Sequence, residues 1–148
     1  MLRSLVFALL LIPGMASLSC RSYTTGLEQS SVRMDEAAAL ATLRAIGRAQ
    51  TTYNVSNSGA YGSFEQLAAG GYLDSRFDAR KPKIYGYVLT MNANSGTGSA
   101  GESSYACNAD PDPSVNRSGR HFYLDSASPL IHVNASQPAS AKDETINP

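Results

Sequence analysis

The sequence predicts an α+β domain: one long N-terminal amphipathic helix and a short second helix packed on a three- to four-stranded antiparallel meander. Three observations carry this. Between residues 31 and 53 apolar residues recur at helical spacing. Residues 63–71 carry the punctuation of a short capped helix. From Ile84 onward, aromatic and branched residues alternate with small or polar ones, in runs separated by Gly, Pro, Asn and Asp.

In the long helix, Ser30 or Ser31 can serve as N-cap, and Asp35 and Glu36 suit the positive first turns. Leu40, Leu43, Ile46 and Tyr53 fall on one face with Ala39 and Ala49, which gives a stripe for one sheet. Abundant Ala lowers the conformational cost and keeps the helix slim. Arg44 and Arg48 lie four apart on the solvated side. Gly47 weakens the helix by about 1 kcal/mol relative to Ala. From Ser31 to Tyr53 the helix extends on the order of 33 Å.

A loop spans Asn54 to Gly62. In the second helix Ser63 and Gln66 have capping-box spacing, Phe64 and Leu67 form its apolar face, and Gly70-Gly71 ends it. A connection with Arg76, Arg80 and Lys81 around Phe77 leads to strand Ile84–Met91. After a Gly- and Ser-rich loop, Tyr105, Cys107 and Ala109 mark a second strand, which Asp110-Pro-Asp-Pro113 stops. Strands at His121–Leu124 and Leu130–Val133 flank a turn at Asp125–Pro129. The expected domain therefore covers residues 31–134, and 135–148 reads as a disordered polar tail with few apolar residues.

The first 19 residues read as a signal peptide. Arg3 supplies the positive end, Leu5–Ile12 the apolar core, and Pro13-Gly14 the break before small residues. Eight apolar residues rise only about 12 Å as a helix, against a hydrocarbon core of about 30 Å, so this segment does not span. Ser17-Leu18-Ser19-Cys20 resembles the lipobox of bacterial lipoproteins, with Ser17 where that family favours Leu. The resemblance implies acylation of Cys20, palmitate included, and two acyl signals on one residue suffice for stable attachment. Residues 20–30 would then be a flexible tether. Arg21 after the cysteine, by the same resemblance, implies the outer membrane. The alternative is cleavage after Ala16, which yields a secreted or periplasmic protein whose Cys20 and Cys107 could pair.

Removing residues 1–19 leaves about 129 residues, enough for one domain with a modest core. The chain carries 12 basic and 12 acidic residues, and loss of Arg3 leaves the mature side chains one unit negative. No basic patch interleaved with aromatic residues is present, so no nucleic-acid partner is expected.

The ordered set Glu36-Ala-Ala-Ala39, Leu43-Arg44-x-Ile46-x-x-Ala49-Gln50-x-x-Tyr53, Phe64-x-x-Leu67 before Gly70-Gly71-Tyr72-Leu73, Gly86-Tyr87-x-Leu89 and Phe122-Tyr123-x-Asp125 resembles bacterial type IV pilin and pseudopilin-like heads over residues 33–133. The resemblance implies a scaffold or interaction surface rather than an active site. Pilins continue from a Gly through Phe-Thr-Leu-Ile-Glu into a long apolar helix. Here Gly14 is followed by Met15, Ser19 stands at the fifth position, and no apolar half-helix precedes the head. Without that spine a filament lacks its core.

Two sets of residues offer metal-ligand chemistry, and neither has the spacing of a metal site. Asn108, Asp110, Asp112, Ser114 and Asn116 alternate oxygen groups that could wrap calcium, but no turn glycine or bidentate Glu completes the loop, and a solvated Asp-Pro turn is the competing reading. His121, His132 and Cys107 could bind zinc if strand alternation placed them on one face; ordinary strand histidines are the competing reading. Catalytic and cofactor-binding residues are not expected: nucleophile-elbow, phosphate-loop, Cys-x-x-Cys and His-Glu-x-x-His motifs are lacking. The functional expectation is a lipid-anchored envelope protein, held to the membrane through acylated Cys20, with protein partners in the cell envelope. Its alternatives are a minor pseudopilin-like component of a type IV pilus or type II secretion machine, and a small calcium- or ligand-binding secreted protein.

Overall fold

A computed structural model describes residues 19–94, 96, 102–116 and 118–146, with residues 19–25 described by their backbone alone. The fold is α+β. The long helix α1 runs Ser19–Ser56, the short helix α2 Phe64–Ala69, and a 3-10 turn Ser75–Phe77. Six strands follow among the described residues: β1 Lys83–Ile84, β2 Tyr87–Asn94, β3 Ser104–Pro111, β4 His121–Asp125, β5 Ile131–Asn134 and β6 Glu144–Ile146. They form one antiparallel sheet in sequential order, where a meander of three or four was expected.

The 38 residues of α1 extend about 57 Å. Its sheet-facing stripe is Ala39, Leu43, Ile46, Ala49 and Gln50, all buried, while Leu40 and Tyr53 sit at its margins. The tether expected over residues 20–30 is helical instead. That segment contains no Pro, and adding a residue to a helix nucleated by packing gains one hydrogen bond without a new nucleus. Ser31 consequently does not cap: its hydroxyl donates to Glu28 O at 2.9 Å, inside the helix.

α2 keeps the expected capping box. Ser63 Oγ accepts from Gln66 N, and Gln66 Oε1 accepts from Ser63 N at 2.7 Å. Phe64 and Leu67 enter the core, and Phe77 meets Phe64 with ring centroids 6.0 Å apart.

The strand expected at Ile84–Met91 is split by a tight turn. Ile84 pairs with Tyr87, and the two residues between them have positive φ, 50° at Tyr85 and 72° at Gly86. That is the two-residue hairpin geometry whose twist matches the strands. The inner sheet face carries Tyr87, Leu89, Cys107, Ala109, Phe122, Leu124 and Ile131 against α1.

The expected disordered tail is ordered through residue 146. It folds over the outer face: Asn108 Nδ2 donates to Ala139 O at 2.8 Å, and Ala139 is 4% exposed. Asn134 Nδ2 donates to Asp143 Oδ1 at 2.8 Å, and the His132 Nδ1 lies 2.8 Å from Asp143 O. β6 then adds to β5 with Ile131 opposite Ile146. Side-chain bonds to the sheet hold this segment, a mechanism that a count of apolar residues does not register.

Candidate interaction groove

A groove of about 400 Å³ runs between α1 and the β4–β5 turn. Arg44, Gly47, Arg48 and Thr51 recur at three- and four-residue steps, so they line one flank of the helix. Leu124, Asp125, Ser126, Ser128, Pro129 and Ile131 form the facing wall. Tyr61 and Tyr105 close one side, their ring centroids 5.0 Å apart.

Gly47 explains how helix and sheet come this close. A Cβ there would lie 3.2 Å from Leu124 Cδ2 and 3.7 Å from the Tyr105 hydroxyl. The helix thus gives up propensity at one position in return for contact with the sheet.

The electrostatics are uneven. Asp125 is occupied by its own turn: Oδ2 accepts from the Tyr123 hydroxyl at 3.0 Å, and Oδ1 accepts from Ala127 N at 2.9 Å and Ser128 N at 3.1 Å. Arg44 and Arg48 are exposed, and neither has an ion-pair or hydrogen-bond partner among the described residues. The Tyr105 ring is buried, and burial pushes its hydroxyl up to about 12, so the group stays a neutral donor. The groove presents two free cations, aromatic edges and an apolar floor. It pairs no nucleophile with a base among the described residues.

The residues singled out from sequence are dispersed. Cys20 lies in the first turn of α1, and its side chain is outside the described atoms. Cys107 is a free, fully buried thiol on the inner sheet face, and burial raises its pKa far above the ordinary value.

The zinc set does not assemble. His121 and His132 stand on the outer face, as their alternation with buried Phe122 and Ile131 requires, whereas Cys107 faces α1. His121 Nδ1 is 2.7 Å from Asp110 Oδ1, and His132 stacks edge-on with Tyr123.

The calcium loop does not converge either. Asp112 already pairs with Lys83 Nζ at 2.8 Å and accepts from Ser114 Oγ at 2.6 Å. Lys83 first, and Ser114 next, hold its carboxyl far below the usual carboxylate range. Asp110 is taken by His121 and Asn108 by Ala139. Asn116 is 2% exposed, and among the described residues its carboxamide makes no hydrogen bond of acceptable geometry, though it lies beside the Tyr87 hydroxyl around Gly119. Among the described residues, no group of three His, Cys, Asp or Glu could hold a metal ion.

Arg44 and Arg48 are exposed, as their helical spacing predicts, but nothing in that spacing shows the wall opposite them. The available signal was an Arg-x-x-Gly-Arg run, in which a helix-weakening glycine sits between two cations. No local signal marks the clamp in which Arg120 Nη2 meets Glu36 Oε2 at 2.8 Å while Arg120 N donates to Glu36 Oε1 at 3.0 Å.

No family model, no curated protein and no solved structure matches this chain.

Proposed function

We propose that this chain is a lipid-anchored envelope protein whose pilin-like head serves in protein interaction. The observation that carries the reading is a long helix whose described hydrogen bonds to the head begin at Glu36, downstream of a lipobox-like Cys20. From Cys20 to Glu36, whose carboxylate is held by Arg120 of the head, the helix rises about 24 Å. That stretch is a stalk: residues 26–31 are exposed, and they set the head off from the acylated end. Acyl chains on Cys20 hold the protein to the outer membrane, with the head facing its partners. Among the described residues no helix is long and apolar enough to cross a membrane. The head's groove offers binding groups, which suits an interaction module.

A second reading, a minor pseudopilin-like component of a secretion or pilus machine, draws on the same helix-on-sheet layout. The apolar spine that such assembly needs is missing after residue 20.

The deciding experiment is the intact mass of the mature protein from cells, with membrane fractionation of a Cys20→Ser variant. An N-terminal Cys20 bearing acyl mass, and release of the variant into the soluble fraction, are expected. An unmodified Cys20, or an N-terminus after Ala16, overturns the anchor. Co-purification with a pilus or secretion machine would favour the second reading.

A further inference from the structure

We propose that the groove beside α1 binds an acidic peptide segment of a partner protein, one carboxylate seated between Arg44 and Arg48 with a neighbouring apolar side chain on the floor. This rests on the interaction role proposed above and names the chemistry of the partner.

Charge sets the first requirement. The two guanidiniums are four residues apart on one helix flank, exposed and unengaged among the described residues. Guanidinium is planar and always charged, and its donors match a carboxylate in pairs. Asp125 in the facing wall leaves the groove with one net positive charge. A single carboxylate complements that balance, whereas a dianionic phosphate would face an uncompensated Asp125.

Shape sets the second. The volume falls within the range of small-ligand clefts, about 300–1,000 Å³, yet the groove lies open along the helix. Leu124, Pro129 and Ile131 supply apolar surface next to the cations. A densely hydrated ion gains nothing from such a floor, while an aliphatic or aromatic side chain does. The Tyr105 hydroxyl has no hydrogen bond among the described residues and can donate to a backbone carbonyl of the segment. Along the helix, Arg44 to Thr51 spans about 10 Å, the reach of about three extended residues.

The test uses the full mature protein in mild detergent and an immobilised array of blocked pentapeptides. Each has a central Asp or Glu flanked by pairings of Leu, Ile, Phe and Tyr, and a matched array carries Asn or Gln instead. Acidic members are expected to bind tighter than about 1 mM, with amide counterparts at least about tenfold weaker. The double variant Arg44→Ala, Arg48→Ala should lose about 10- to 100-fold, as expected for bonds to charged groups. Thr51→Trp, which fills the groove mouth without changing charge, should lose binding too, and Arg33→Ala on the stalk should not. Both arginines are exposed and unengaged, so an unchanged thermal melt separates lost binding from lost fold.

The proposal is overturned if no acid-dependent binding appears on the array, or if the double variant binds as well as wild type. It is also overturned if the arginines act instead on phosphatidylglycerol vesicles in a sedimentation assay. Peptide binding without acylation of Cys20 removes only the anchor. Acylation without peptide binding removes only the groove.

Discussion

Replacing Gln50 by Leu tests how α1 is fastened to the rest of the head. Gln50 is 0% exposed and lies within the apolar stripe of the helix. Its Nε2 donates to Gly62 O at 2.7 Å and lies 3.1 Å from Met91 Sδ, and its Oε1 accepts from Gly62 N at 3.0 Å. One side chain thus satisfies both backbone groups of a buried loop residue, just before the cap of α2. Leu preserves most of the volume but orphans both Gly62 groups. Each orphaned buried group costs about 1–3 kcal/mol, and the better transfer of Leu returns on the order of 1 kcal/mol. The expected net loss is about 1–5 kcal/mol, and Gln50→Ala should lose more because it adds a cavity. Urea unfolding followed by far-UV circular dichroism reads this as a lower midpoint at unchanged slope. Amide exchange at Gly62 should speed up in the same variant. Gln66→Ala, which breaks only the exposed capping box, should cost about 1 kcal/mol and serves as the comparison. A Gln50→Leu protein within about 0.5 kcal/mol of wild type, with Gly62 exchange unchanged, would refute the bridge, since that is the scatter of ordinary surface substitutions.

The clamp between Glu36 and Arg120 should make stability depend on pH. Burial pushes the Glu36 carboxyl up, but the bonds and charge of Arg120 outweigh it, so the folded value lies below the ordinary 4.5. The contribution is therefore present above pH 4.5 and is lost as pH falls through the folded value. Glu36→Gln should flatten the melting temperature against pH in that acid range, and should lower stability near neutrality by about 1 kcal/mol. Gly86→Ala meets two obstacles, a φ of 72° and a Cβ 3.1 Å from Asp35 Oδ2. It should cost about 1–2 kcal/mol by chemical denaturation, and a neutral result would argue against the tight turn. Ala139→Asp buries a carboxylate under the folded-back tail. It should cost about 2–3 kcal/mol and expose residues 135–146 to limited proteolysis, whereas unchanged resistance would mean that the tail does not pack there.

Local chemistry was readable residue by residue. Ser63 and Gln66 announce a capping box, and the bonds form. Alternation at Tyr105, Cys107 and Ala109, and again at Phe122 and Leu124, marks strands whose inner residues are buried. The same alternation misled at Tyr85-Gly86, because a two-residue turn with positive φ preserves the period while reversing the chain. Of the groove, the sequence contains Arg44, Gly47 and Arg48 at helical spacing but nothing that brings Tyr105 and Pro129 opposite them.

The sequence by itself determined the α+β class, the helix stripe, the cap of α2 and the separation of the inner strands. Each rests on interactions between residues close in the chain, where spacing and propensity suffice. Only the tertiary structure decided what the polar residues do. Gln50 became a core bridge, Asp110 and Asp112 found His121 and Lys83, and a polar tail became a clasp and a sixth strand. Arg44 and Arg48, exposed as expected, line a groove opposite the β4–β5 turn. The physical reason is that a polar group is defined by its partner, and these partners are set by how the sheet and helix meet.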